Sequence, residues 1–253
     1  MWLPGHVPTR PDPIAYLDHA AREGRAYKRR LLDTLDPGPA HTALDVGCGP
    51  GADLPALAER AGTVIGVDID PTMVREARRR TEGLPVRVHQ ADAHALPLPD
   101  HAVDRARLDR VLHQVADPGA VLAELRRVLR PGGRAALAQP DWETLAVDPG
   151  STATNLAFNR FVCDRVVRNP VVGRQLARLA AGAGLTVDTV DTDAILLRDF
   201  ATADELLGLT RNAHRAAAAG RITRRAADAW LTDLATGPFL ATFTLFRVAV
   251  TAP

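Results

Sequence analysis

The sequence predicts an α/β fold: a seven-stranded, mostly parallel sheet with flanking helices and a helical lid. Three observations predict it. Short apolar runs alternate with helical periodicity between residues 42 and 139, and the first of these runs stops in a glycine-rich turn. After Pro140 the alternation gives way to Ala-, Arg- and Leu-rich helical segments at 151–183 and 202–236. A closing segment at 239–250 is rich in β-branched and aromatic residues.

Taken in order, residues 14–35 place Leu17, Ala21, Tyr27, Leu31 and Leu35 at roughly helical spacing, interrupted by Gly24, which predicts one or two short helices. Pro37, Gly38 and Pro39 end that pattern, and Thr42 to Val46 forms the first strand. A helix over 53–61 and a strand over 63–69 follow. The alternation continues with a helix at 71–80, strands at 86–90 and 103–107, a helix at 117–130 and a strand at 134–139. The strand at 185–198 separates the two helical segments, and 239–250 closes the sheet, antiparallel to its neighbours. The whole of 1–253 is thus expected to be one domain, with its core at about 25–145 plus the closing strands.

Composition narrows the function classes. With 31 basic against 30 acidic residues the net charge is +1, so no global field favours nucleic acid or an anionic membrane. Two cysteines, Cys48 and Cys163, are too few for a disulfide framework and suit a reducing cytoplasm. The first thirteen residues carry four prolines and no apolar core of a leader, and no stretch approaches the roughly 18 apolar residues of a membrane helix. His89, His94 and His101 lack metal-ligand spacing with any Cys or Glu cluster, so no metal is expected. A monomer or homodimer is expected.

The strongest chemical signal is Asp45-Val46-Gly47-Cys48-Gly49-Pro50-Gly51, between a strand and a helix. Three alternate glycines let the backbone turn tightly against a ligand with no Cβ in the way, and a following helix offers free N–H groups. Asp68 ends the second strand 21 residues after Gly47, where a carboxylate can accept bonds from both hydroxyls of a ribose. Asp92, after the third strand, stands where a carboxylate or its neighbouring amide reaches an adenine edge. The last two glycines are spaced by one residue, with Pro50 between them and no basic residue in the turn, which differs from a dinucleotide fingerprint and its pyrophosphate.

These residues carry a resemblance. DVGCGPG, Asp68 in GVDID, Asp92 in ADAHALPLPD, LDRVLHQVADP and LRPGGRAALAQPDW, in that order over about residues 25–145, resemble the class I S-adenosylmethionine-dependent methyltransferases, particularly the small-molecule enzymes related to ubiquinone and menaquinone C-methyltransferases. The resemblance implies a Rossmann-like fold and S-adenosylmethionine as cofactor. It implies that Asp45 and the turn Gly47, Cys48, Gly49 and Gly51 hold the methionine part, and that Asp68 holds the ribose. Asp92 and Ala93 would contact adenine, Ile69 and Met73 would pack on its ring, and Leu108 and Asp109 would lie beside the cofactor.

Methyl transfer from a sulfonium needs orientation and at most one base. In a doubly wound sheet the ligand lies beyond the carboxyl ends of the strands, which makes Arg107, Asp109, Arg110, His113 and Asp141 candidates. His113 is the only histidine among them and is the candidate base, with Asp141 accepting the proton or orienting it; the alternative reading has His113 capping or packing the following helix and Asp141 ending a strand or capping a turn. Trp142, Phe158 and Phe161 are candidates for an acceptor pocket or equally for core packing, and Lys28-Arg29-Arg30 and Arg78-Arg79-Arg80 read as solvated helix faces. The expected function is O-, N- or C-methylation of a small, hydrophobic metabolite, as in secondary metabolism, with the lid setting the acceptor. A non-methylating cyclase or a binding protein of the same fold would carry the same cofactor motifs. A nucleic-acid methyltransferase is disfavoured by the near-neutral charge and by the absence of an Asn/Asp-Pro-Pro-aromatic motif after the fourth strand.

Overall fold

The structure, a computed structural model, describes residues 12–253; the proline-rich start read above lies outside the described residues up to residue 11. Seven strands form one sheet in the order β3-β2-β1-β4-β5-β7-β6. The strands are β1 Thr42–Val46, β2 Thr63–Asp68, β3 Val86–Gln90, β4 Val103–Asp109, β5 Leu129–Asp148, β6 Thr186–Leu197 and β7 Leu240–Thr251. The first five run parallel, and β7 lies antiparallel between β5 and β6.

Near-continuous apolar runs give the central strands because both faces of the sheet are covered. Leu44, Val46, Ala106, Leu108 and Leu137 point into one core layer, and Ala43, Val64, Ala136 and Ala138 into the other. The first layer is closed by α5 (Pro118–Val128) and α7 (Val172–Gly182). The second is closed by α2 (Arg25–Leu35), α3 (Leu54–Ala58) and α4 (Pro71–Arg80), with α1 (Pro13–Glu23) joined to α2 at Gly24. Three of these helices begin with the same Asp-Pro pair: Asp12, Asp70 and Asp117 each accept a backbone N–H at the helix start, and the following proline supplies the fixed φ of the first turn.

Over the carboxyl ends of β5 and β6 and the start of β7 stands a helical cap of α6 (Thr152–Arg165), α8 (Phe200–Leu207), α9 (Leu209–Ala218) and α10 (Arg224–Thr236). It has its own apolar core, in which Phe158 packs on Trp230 at a ring separation of 4.9 Å.

The structure differs from the expected elements in three places. The lid read over 151–183 includes α7, but Val172, Leu176 and Ala180 are fully buried against β7 and the sheet core, so this helix flanks the sheet. The strand expected at 134–139 runs on to Asp148, because β7 continues to pair with it across a register shift between Asp141 and Ala146. The helix expected over 53–61 shrinks to five residues. Among the described residues no helix is long and apolar enough to cross a membrane, and no three His, Cys, Asp or Glu side chains are grouped to hold a metal ion.

Candidate functional site

The parallel strands end together beneath α1, α2 and the cap, and a cavity of about 730 Å³ lies there. Its floor is the glycine turn. Gly47 and Cys48 donate their N–H groups to the carbonyl of Val67, at 2.7 and 3.0 Å, which pulls the chain tightly around the end of β1. Gly47 has φ 72°, and a Cβ there would collide with Val111 Cγ2, so the position requires glycine on two counts. Gly51 serves differently: a Cβ on it would lie 2.9 Å from Ala77 Cα, so this glycine lets α4 approach, and its side faces away from the cavity. The five-residue α3 begins only at Leu54, three residues beyond Gly51, so the expected helix-terminal N–H groups do not stand at the turn, and the N–H groups of Gly47, Cys48, Gly49 and Gly51 are already bonded within the fold.

Asp68 closes the turn from the neighbouring strand. Its Oδ2 accepts the N–H of Gly49 at 2.8 Å and its Oδ1 that of Asp70 at 2.9 Å, leaving further lone pairs on both oxygens toward the cavity. Ile69, Met73, Asp92 and Ala93 line the same side; Ile69 is exposed and Met73 buried. Asp92 is held ionised by the backbone N–H and ring of His94, at 2.9 and 2.6 Å.

Beneath the turn lies a buried ion network that no single motif announced. Lys28 Nζ donates to Asp53 Oδ2 at 2.5 Å and to Asp109 Oδ2 at 2.8 Å, and Arg107 donates to the same two oxygens at 2.7 and 2.9 Å. Tyr27 donates its hydroxyl to Asp109 at 3.2 Å. Burial alone would raise Asp109, but the Lys28 and Arg107 charges hold its carboxyl well below the usual carboxylate range. Asp45, buried with Arg107 Nη1 at 3.8 Å, has no such close partner, and burial pushes it up to about 6. Lys28 is therefore not on a solvated face as the basic run Lys28-Arg29-Arg30 suggested, although Arg29 and Arg30 are exposed. The legible signal was local: Lys28 adjoins Tyr27 in the apolar stripe of α2, and Arg107 and Asp109 alternate onto one face of β4.

Two further expectations are corrected. Leu108 is fully buried in the sheet core with Leu44 and Val46, so only its neighbour Asp109 stands in the cavity. Asp141 does not line the cavity and does not contact His113: it sits within β5, fully buried, and its carboxylate is taken by the guanidinium of Arg174 on α7 and the N–H of Glu143. The carboxylate is thus held within the fold, away from any acceptor in the cavity.

The opposite side of the cavity is apolar. Trp142 stacks on Phe243 at 5.2 Å with planes 21° apart, beside Ile195, Leu197, Leu206 and Leu207. Phe158 and Phe161 do not line it; they belong to the interior of the cap, with Trp230 and Arg215 as neighbours. His113 does line it, next to Arg110 and Gln114. Burial, reinforced by the Arg110 charge, lowers its imidazole to about 4, so it is neutral at physiological pH and weakly basic.

Comparison with known proteins gives a consistent family. Residues 44–137, the glycine turn through β5, match the family described as a methyltransferase domain. The chain is 50% identical over 248 residues to an "Uncharacterized 37.1 kDa protein in transposon TN4556" of Streptomyces fradiae, covering 96% of this chain and 72% of that one. It is 43% identical over 117 residues to the ubiquinone/menaquinone biosynthesis C-methyltransferase UbiE of Acidiphilium cryptum, covering 44% of this chain and 46% of that one, so this match spans about half of each. Among solved structures, the YcgJ protein of Bacillus subtilis aligns with TM-score 0.64 at 18% identity over 90% of this chain and 98% of that one. The [4+2]-cyclase SpnF aligns with TM-score 0.56 at 22% identity over 90% and 80%. At such identities the structural likeness speaks for the fold alone.

Proposed function

The chain belongs to the class I S-adenosylmethionine-dependent methyltransferases, and from that premise we propose that it methylates a small, mostly apolar acceptor. The observation that carries this reading is a single cavity with two unlike halves: the Gly47–Gly49 turn with Asp45, Asp68 and Asp92 on one side, and the Trp142–Phe243 wall on the other. In that first half, Asp68 would hold the ribose hydroxyls, Asp92 and Ala93 the adenine edge, and Ile69 and Met73 its faces. Asp45 and Asp109, which line the cavity beside the turn, would present carboxylates to the ammonium of the methionine part.

When bound there, S-adenosylmethionine supplies an electrophilic methyl group and leaves as S-adenosylhomocysteine. The chain's own contribution is orientation and exclusion of water, since proximity alone can supply roughly 7–11 kcal/mol of a two-reactant barrier. Trp142, Phe243, Leu206 and Leu207 present a dry wall to the acceptor. His113, buried and neutral, orients the acceptor by a hydrogen bond and contributes little as a base.

The test is formation of S-adenosylhomocysteine from S-adenosylmethionine across a panel of aromatic and polyketide-like metabolites. The reading predicts stoichiometric S-adenosylhomocysteine with at least one of them. An acceptor that is consumed while no S-adenosylhomocysteine forms would support a cyclase of this fold instead.

A further inference from the structure

We propose that the acceptor half of the cavity is built to receive an oxyanion, a carboxylate or an acidic enolate on an apolar body, held by Arg110 and Arg168; the proposal rests on the methyl-transfer reading above. Charge is divided across the cavity. Every carboxylate that lines it stands on α1 or at and beyond the ends of β1 to β4, on the side of the glycine turn. The walls contributed by β5, β6, β7 and α8 are apolar and bear no carboxylate, and the loop before α7 adds Arg168. Arg168 is exposed, and no hydrogen bond or ion pair joins it to any described residue.

Arg110 is the more unusual of the two. It follows β4 with φ 56°, a left-handed conformation in a residue other than glycine, held by its own N–H donating to Ala138 at 2.8 Å. A residue other than glycine adopts this conformation uncommonly, and only where the surrounding structure holds it there. The carboxylate paired with Arg110 is Asp109, 3.8 Å from Nε and already engaged by Lys28 and Arg107. Arg107 and Lys28 are thus engaged by short bonds within the network, whereas Arg110 has no carboxylate within hydrogen-bond distance and Arg168 no ion pair among the described residues.

A second observation is independent of charge. Arg110 Nε, His113 Nδ1 and Trp142 Nε1 are buried without a hydrogen-bond partner among the described residues, and all three side chains line this cavity. Gln139 Nε2 is also unpartnered, and the same side chain accepts the N–H of His113. Arginine, tryptophan and glutamine nitrogens here can only donate. Buried donors without acceptors are costly, and an oxyanion brings lone pairs to such a donor. A guanidinium facing a carboxylate or enolate forms the stronger, charge-assisted bond. An acceptor that arrives already ionised also accounts for a neutral, weakly basic His113.

The experiment is calorimetric titration of the full chain, with and without saturating S-adenosylhomocysteine, using matched probes at neutral pH: naphthoate against naphthamide, and hydroxycoumarin as its enolate against methoxycoumarin. Each anion is expected to bind about tenfold or more tightly than its neutral mate, the worth of one charge-assisted bond. Arg168→Gln and Arg110→Gln are each expected to reduce that preference about tenfold while the neutral mates bind as before, and Arg168→Gln is expected to retain wild-type S-adenosylhomocysteine affinity. Preference for only one of the two anions identifies the source of the oxyanion. Equal binding of both mates, a preference that survives both substitutions, or no binding of either anion at millimolar concentration overturns the proposal. Failure of the wild-type chain to bind S-adenosylhomocysteine would instead remove the methyl-transfer reading, and the probe titrations without it still report on the two arginines.

Discussion

Lys28 Nζ lies 2.8 Å from Asp109 Oδ2, and this bond joins the helix that covers the site to the end of the central strand β4. Both side chains are nearly buried, at 10% and 5% exposure, and Arg107 completes the pairing from the same strand. The cavity floor and its cover are therefore one electrostatic unit.

Lys28→Met is expected to destabilise the fold by roughly 3 kcal/mol, the lower end of the cost of breaking a buried pair, because Arg107 still faces both carboxylates. Urea denaturation measures it. A midpoint equal to wild type would show that Arg107 alone suffices.

Asp68→Ala is expected to weaken S-adenosylhomocysteine binding by roughly 1.5–3 kcal/mol, the range for a bond to a charged group. The substitution also frees Gly49 N–H from its 2.8 Å bond, so the turn loosens in the same direction. Calorimetry on the folded variant tests this, and an unchanged dissociation constant would remove Asp68 from the ribose site.

Cofactor affinity is expected to fall as pH drops through about 6, the value to which burial raises Asp45. The groups facing Asp45 are Arg107, Lys28, Asp53 and Asp109; both of these carboxyls are held below their ordinary value, so within this group only Asp45 is raised into the window. Because its pKa is raised on folding, protonation of Asp45 favours the folded state: its contribution is present at low pH and lost as pH rises through about 6. The lost affinity is thus not unfolding. Asp45→Asn should bind weakly at every pH, and a wild-type affinity that stays level between neutral pH and pH of about 5 would contradict the role.

Phe158→Ala is expected to cost roughly 3–5 kcal/mol of stability, as for an aromatic deleted from a packed core, since it packs on Trp230 inside the cap. Trp142→Ala, at the cavity wall, is expected to raise the acceptor KM with a smaller loss of stability. Thermal unfolding and acceptor kinetics of the two variants separate the roles, and reversed effects would contradict this division.

Much of the fold was legible because parallel strands buried on both faces leave unbroken apolar runs; TALDV and VRVHQ became β1 and β3 with their expected bounds. The turn and Asp68 were legible for a similar reason, since local backbone demands fix which residue types can stand there. Asp141 was misplaced because the length of β5 is set by its pairing with β7, about a hundred residues away in sequence. Lys28, Phe158 and Phe161 were misread because a helical stripe shows which side is buried, and not whether it faces a ligand, a buried carboxylate or another helix. The unpartnered donors of Arg110, His113 and Trp142 have no sequence signature at all, since they arise from three strand ends and loops meeting in space.

The central claim, that the Gly47–Gly49 turn and Asp68 form a site for S-adenosylmethionine, is tested most directly by calorimetric titration of the wild-type chain with S-adenosylhomocysteine and, separately, with NAD. The account predicts one S-adenosylhomocysteine site per chain that weakens in Asp68→Ala and no comparable binding of the dinucleotide. Binding of NAD with no detectable S-adenosylhomocysteine binding at millimolar concentration would contradict it.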